Sequence, residues 1–262
     1  MNSDLTFITN EENRNLLERF RILINDTRFF DVLVGYFYTS GFHALYKSLE
    51  KTEKTRVLIG ISTNMQTYDL LQRSRKSNQQ TIEFSHAETK EAVESMVENE
   101  LADSEDNRKV EEGVNKFIEW VNTDCNEPHR SEDLKNNGNG KKLQIKAYPS
   151  QNIHAKLYIM TFHEGDRDVG RVITGSSNFT QAGLIDNLEF NVELKNRSDY
   201  DFAGQKFDEL WNNAVDVGEK YVQTIRGNTW LSQNISPYQL YLKFLYEYFK
   251  DELSQADEVF LK

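Results

Sequence analysis

The sequence predicts an α/β protein, a mixed sheet flanked by helices with an acidic helical insertion between its halves. Three observations carry the prediction. Residues 31–37 and 56–61 are apolar runs on both faces, as strands covered by helices on each side must be, and a helix-length segment separates them. Further short runs return beyond residue 142, and two of them alternate apolar with polar residues. Between the two sets, residues 64–142 are polar and helix-prone, with 17 acidic against 11 basic side chains.

In chain order, Leu16, Leu17, Phe20, Leu23 and Ile24 recur at helical spacing, so residues 11–25 read as an amphipathic helix. A strand over Asp31–Phe37 follows, then a turn at Thr39, Ser40 and Gly41, a helix from Phe42 to about Glu50, and a strand over Arg56–Ile61. This is a βαβ unit, whose crossover is expected to be right-handed. The insertion carries a second amphipathic helix, with Val114, Phe117, Ile118 and Val121 on one face, and reads as a solvated elaboration. Strands are then expected at Leu143–Tyr148, Asn152–Met160, Gly170–Thr174 and Leu188–Leu194; the second and third form a hairpin with a charged tip. A helix over 200–217 bears Phe202, Phe207, Leu210 and Trp211, and the segment from Ser236 is helical with Tyr238, Tyr241, Phe244 and Tyr248 on one face. The division expected is a domain over 1–200, holding the insertion, and a helical extension over 201–262.

Composition narrows the setting. Hydrophobic residues at 38% and aromatics at 12% suit a packed domain, not a disordered chain. The lone Cys125 rules out a disulfide framework, and no apolar run approaches the roughly 20 residues that cross a bilayer. The N-terminal residues are polar and acidic, unlike a signal peptide, so a cytoplasmic protein is expected. The net charge of −11 argues against tight, sequence-independent binding to nucleic acid. Residues 1–63 and 143–200 nevertheless balance at 0 and −1, so a local phosphate site is compatible with the charge.

The chemistry is concentrated between residues 153 and 194. Alternation along a strand points His154 and Lys156 to one face, with Tyr158 beyond them. Alone, that pair is what a half-exposed strand often carries. The next strand ends in Gly175-Ser176-Ser177-Asn178, a tight turn with two hydroxyls and an amide able to bind phosphate oxygens or orient an imidazole. Asn187 and Glu189 return on the following strand, where Glu189 could hold the His154 ring in one tautomer.

His154-x-Lys156, Gly175-Ser176-x-Asn178-Phe179-Thr180 and Asn187-x-Glu189 together resemble the HKD signature of the phospholipase D superfamily. The likeness is greatest to its single-motif nucleases and to the PLD-like domains that precede bacterial superfamily-2 helicase motors. It implies a phosphodiesterase that needs no metal or other cofactor and forms a phosphohistidine. In that reading His154 is the nucleophile and Lys156 the phosphate clamp. Ser176 and Asn178 donate to the phosphate or the histidine, and Glu189 orients the ring. The expected substrate is nucleic acid, DNA first; alternatives are a silent PLD-like module that binds nucleic acid or a partner, and a phospholipase. The segment around Pro237-Tyr238 resembles the connector to a helicase motor, a possible partner, and no membrane partner is expected.

Two departures matter. The Asp expected five positions after the Lys is Thr161, with Asp166 and Asp168 nearby as possible substitutes. The superfamily's second histidine is also missing, since His43, His86, His129 and His163 lack a Lys two positions later. Either two chains share one site across a two-fold axis or the protein does not turn over; the expectation is a homodimer.

Overall fold

A computed structural model describes residues 6–11, 15–35, 37–60, 108–125, 140–149, 153–166 and 168–228, with a few positions between 87 and 94 and residue 245. The strands are β1 (Phe7–Ile8), β2 (Thr27–Val34), β3 (Lys54–Gly60), β4 (Asp124–Cys125), β5 (Gly140–Lys141), β6 (Leu143–Tyr148), β7 (Leu157–Phe162), β8 (Gly170–Gly175), β9 (Asn191–Leu194) and β10 (Val215–Asp216). The helices are α1 (Leu16–Ile24), α2 (Thr39–Leu49), α3 (Arg108–Asn122), α4 (Arg197–Asn212) and α5 (Gly218–Asn228). Eight strands form one mixed sheet in the order β1-β9-β8-β7-β2-β3-β6-β10, and β4 pairs with β5 separately. β2, β3 and β6 are mutually parallel at the centre, while β7, β8, β9, β1 and β10 run antiparallel to their neighbours.

The two apolar runs became central strands because helices bury both sheet faces. On one face, side chains from α1, α2, α3 and α5 pack with Phe30, Val32, Val57, Ile145 and Tyr158 in the larger core. On the other, Tyr200, Ala203, Phe207 and Trp211 of α4 cover Leu33, Leu58, Ile159 and Val172. Arg56 fastens α4 to that face. Its guanidinium grips Asp31 at 2.7 and 2.8 Å, reaches Asp208 at 2.8 Å and lies over the Phe207 and Trp211 rings. Burial alone would lower the Arg56 pKa; the two carboxylates outweigh it and hold the group charged.

Several expectations shift. Thr39–Gly41 is the first turn of α2, and Gly41 is there for contact: a Cβ would stand 2.3 Å from the Phe179 carbonyl oxygen. α3 is part of the core, with Val114, Phe117, Trp120 and Val121 buried, so the end of the insertion is a structural layer and not a solvated elaboration. α4 begins before residue 200 and ends at Asn212, with Phe202 exposed on its outer side. The chain then adds β10 to the sheet and α5 to the larger core, so the boundary drawn after residue 200 falls inside a helix. The Tyr238–Tyr248 face and most of the insertion lie outside the described residues. Among the described residues, no helix is long and apolar enough to cross a membrane.

Candidate active site

β7 is antiparallel to both β2 and β8, so the start of β7 lies beside the ends of those two strands. Leu33↔Leu157 is the last β2–β7 pair, and residues 153–156 before it have no ladder partners. The strand expected over 152–160 is therefore Leu157–Phe162, and His154 and Lys156 sit just ahead of it. His154 is exposed while Lys156 is buried. The Lys156 ammonium stands 2.9 Å from His154 Nδ1, 3.3 Å from Nε2 and 3.2 Å from the His154 carbonyl oxygen. An ammonium only donates, so the ring nitrogen bonded to it presents a lone pair. Burial lowers the Lys156 pKa, with Glu189 pulling the other way.

The β8–β9 connection brings the remaining groups. A Cβ built on Gly35, just after β2, would lie 3.5 Å from His154 Cδ2 and 3.7 Å from Asn178 Oδ1, so the imidazole and the amide converge on that backbone. Asn178 is carried by a turn anchored from below. Tyr158 Oη donates to the Ser177 carbonyl at 2.8 Å, Asn191 Nδ2 donates to Ser177 Oγ at 2.9 Å, and Ser177 N–H donates to Asn191 Oδ1 at 3.3 Å. All three residues are buried, and burial raises the Tyr158 pKa well above its usual value, keeping the phenol a donor. With Ser177 pinned inward, Ser176 and Asn178 face outward. Gly175 ends β8 in close approach to the next strand, since a Cβ there would stand 2.2 Å from the Phe190 carbonyl oxygen.

Glu189 is placed differently from the expectation. Its carboxylate accepts the Ser176 hydroxyl, and Ser176 Oγ accepts Phe190 N–H at 3.0 Å. Its hydrogen bond thus goes to Ser176 on the β8–β9 connection and not to the His154 ring. Thr161, at the motif Asp position, hydrogen-bonds Tyr200 Oη at 2.7 Å, and five residues of extended chain put it roughly 16 Å from Lys156. Asp166 and Asp168 lie beyond it at the hairpin tip, with Asp168 paired to Arg171, so neither substitutes at the site. Among the described residues, no group of three or more His, Cys, Asp or Glu is assembled that could hold a metal ion. Sequence reasoning passed over Gly35 and Asn191 and took the Ser177 hydroxyl for a site group, where it is a buried anchor instead; the glycine closing an apolar strand was the available signal for the first.

The described contacts gather Lys156 and Asn178 about the exposed His154 ring, with Ser176 bonded to Glu189 on the β8–β9 connection. The sequence profile of the cardiolipin synthase PLD-like domain matches residues 23–211, from the end of α1 through nearly all of α4. No curated protein matches the chain. Among solved structures, the chain is similar to Nuc from Salmonella typhimurium, a phospholipase D family member, at 15% identity over 80% of this chain and 95% of that one, TM-score 0.38. NucT from Helicobacter pylori gives 11%, 80%, 97% and 0.39 in the same terms. TrmBL2, an archaeal chromatin protein, gives 12% identity over 83% of this chain and a TM-score of 0.37, and the chain spans 57% of its length. Since the profile takes in every strand that borders His154, Lys156 and Asn178, the chain belongs to the PLD-like domain family.

Proposed function

We propose that this PLD-like domain is a metal-independent phosphodiesterase that cuts nucleic acid, DNA as the substrate, through a phosphohistidine on His154. The observation that carries the reading is the His154–Lys156 contact, an exposed ring nitrogen with its lone pair held beside a buried ammonium. An anionic phosphate draws Lys156 off the ring and frees that lone pair for attack. The N–P bond forms as the bond from phosphorus to the leaving oxygen breaks, and that oxygen takes a proton from a second imidazole. Water then attacks phosphorus and gives a proton back to the second imidazole, the N–P bond breaks, and both rings are restored. Lys156 and Asn178 stabilise the charge that builds on the non-bridging oxygens, joined by Ser176 once its hydroxyl swings from Glu189 to the phosphate. Glu189 positions the site by holding Ser176 and supporting the charge on Lys156.

The second imidazole comes from another copy of the chain, so the working unit is a homodimer. Of the other described histidines, His43 packs against Gly113 and His163 lies at the hairpin tip. A helicase motor as a further partner rests on the resemblance of the segment around Pro237-Tyr238 alone.

The test is incubation with supercoiled plasmid and oligonucleotides in excess chelator. Nicking is expected to persist in chelator and to vanish in His154→Ala; nicking that needs a divalent ion, or that survives the substitution, contradicts the proposal. A second reading, a silent nucleic-acid-binding module, is favoured by one observation: Glu189 is bonded to Ser176 instead of the histidine. It predicts binding without cleavage in the same tubes.

A further inference from the structure

Just past β1 the chain lies against the β8–β9 connection. Ile8 pairs with Asn191, and two residues later Asn10 takes φ 60°, the left-handed region that Asn tolerates better than most side chains. Its amide makes three bonds. Oδ1 accepts the N–H of Leu16, the first residue of α1, at 2.9 Å, while Nδ2 donates to the carbonyls of Gly183 and Asn187, each at 3.0 Å. Both Nδ2 protons are thereby used. The two carbonyls belong to a π-helical turn over Ala182–Asp186, which the Asn187 N–H closes by donating to the Ala182 carbonyl at 2.8 Å. The neighbouring Thr9 carbonyl accepts the Glu189 N–H at 3.4 Å.

We propose that Asn10 is a positioning residue for the phosphodiesterase reaction, clasping with one amide the connection that presents Asn178 and Glu189. The proposal rests on the function assigned to His154 above. Gly183 carries the effect to Asn178: a Cβ on Gly183 would stand 2.5 Å from the Asn178 carbonyl oxygen and 3.0 Å from its nitrogen, so the Asn178 backbone rests on the residue whose carbonyl Asn10 holds. The Asn178 amide in turn converges with the His154 ring on Gly35. At the other end Asn187, also held by Asn10, precedes Glu189 by two residues, and Glu189 accepts the Ser176 hydroxyl. Asn191 and Tyr158 fix the start of this connection at Ser177, which leaves its far end to Asn10. The backbone points the same way, because a fold keeps a left-handed residue other than glycine where the bonds around it require one.

The test compares wild type with two variants. Asn10→Asp keeps an acceptor for Leu16 and the tolerance for left-handed backbone, but turns a carboxylate on the two carbonyls. Asn10→Gly is neutral and at ease at φ 60°, so it removes the clasp without adding charge. Amide hydrogen exchange followed by NMR and nicking kinetics in chelator are measured on all three. In both variants the Leu184, Asn187 and Glu189 amides should exchange about 10-fold faster or more, while those of β2 and β3 keep their wild-type rates. The kcat should fall about 10-fold or more with KM within about twofold, since the phosphate donors remain but are no longer held in place. Unchanged exchange at the three amides overturns the clasp. Faster exchange with unchanged kcat overturns its part in the reaction, and a kcat loss confined to Asn10→Asp overturns it too, assigning the effect to the added charge. A wild type that does not nick overturns instead the His154 reading beneath, and the exchange rates then decide the clasp by themselves.

Discussion

Replacing Asn191 with Leu removes the anchor beneath the turn that carries Ser176 and Asn178. The Asn191 side chain is buried and forms two hydrogen bonds with Ser177, one to its hydroxyl and one from its backbone N–H. Leu fills a similar volume but satisfies neither group, and each buried, unpaired polar atom costs about 1–3 kcal/mol. The expected destabilisation is therefore about 2–6 kcal/mol. Tyr158→Phe, which leaves only the Ser177 carbonyl short of one donor, should cost about 1 kcal/mol. Urea unfolding measures both. In nicking assays below the unfolding transition, Asn191→Leu should lower kcat more than it raises KM, because the turn that carries Asn178 beside His154 loses its fixed position. A loss of stability under about 0.5 kcal/mol, or unchanged kcat in a folded protein, would refute the claim that this buried anchor sets the site.

Four further outcomes follow from the geometry. Burial holds the Lys156 pKa below the ordinary 10.5, so nicking should fall with rising pH before an ordinary lysine would lose its proton; Glu189→Gln should move that fall to lower pH still. In the folded state the proton on Lys156 is bound less tightly than in the unfolded chain, so stability should rise with pH through the window below 10.5. Lys156→Met should remove that slope in pH-dependent urea unfolding while lowering kcat about 100- to 1,000-fold. Arg56→Met takes the paired guanidinium from the fully buried Asp31 and should cost about 3–5 kcal/mol in urea unfolding. Thr161→Asp restores the family's motif residue but far from the phosphate site, so initial nicking rates should stay within about twofold of wild type.

The sequence made the architecture legible wherever burial writes a pattern. The both-face apolar runs located β2 and β3, alternation located β6 over the same residues, and spacing located α1 and the buried face of α3. Elements whose ends are set by tertiary contact were less legible. Thr39–Gly41 carries turn chemistry, yet the glycine serves close approach to Phe179, so the helix begins three residues earlier than its composition suggests. α3 looked solvated because its charged face dominates the segment's composition, while the buried face needs only every third or fourth residue. His154, Lys156, Ser176, Asn178 and Glu189 were all visible as types at a spacing, and the structure brings His154 to both Lys156 and Asn178. Which partner Glu189 takes was not visible, because Ser176 and His154 are both hydrogen-bonding groups and only the path of the β8–β9 connection decides between them.

The central claim is a bond between His154 and phosphorus, and it can be trapped. The protein would be mixed with a 5′-³²P-labelled oligonucleotide for seconds, quenched in alkali, which preserves phosphohistidine, and digested for mass spectrometry. The account predicts an acid-labile, alkali-stable adduct on the peptide holding His154, formed in chelator and absent from His154→Ala. Oligonucleotide cleavage at full rate with no such adduct, or an adduct on any other residue, would contradict it.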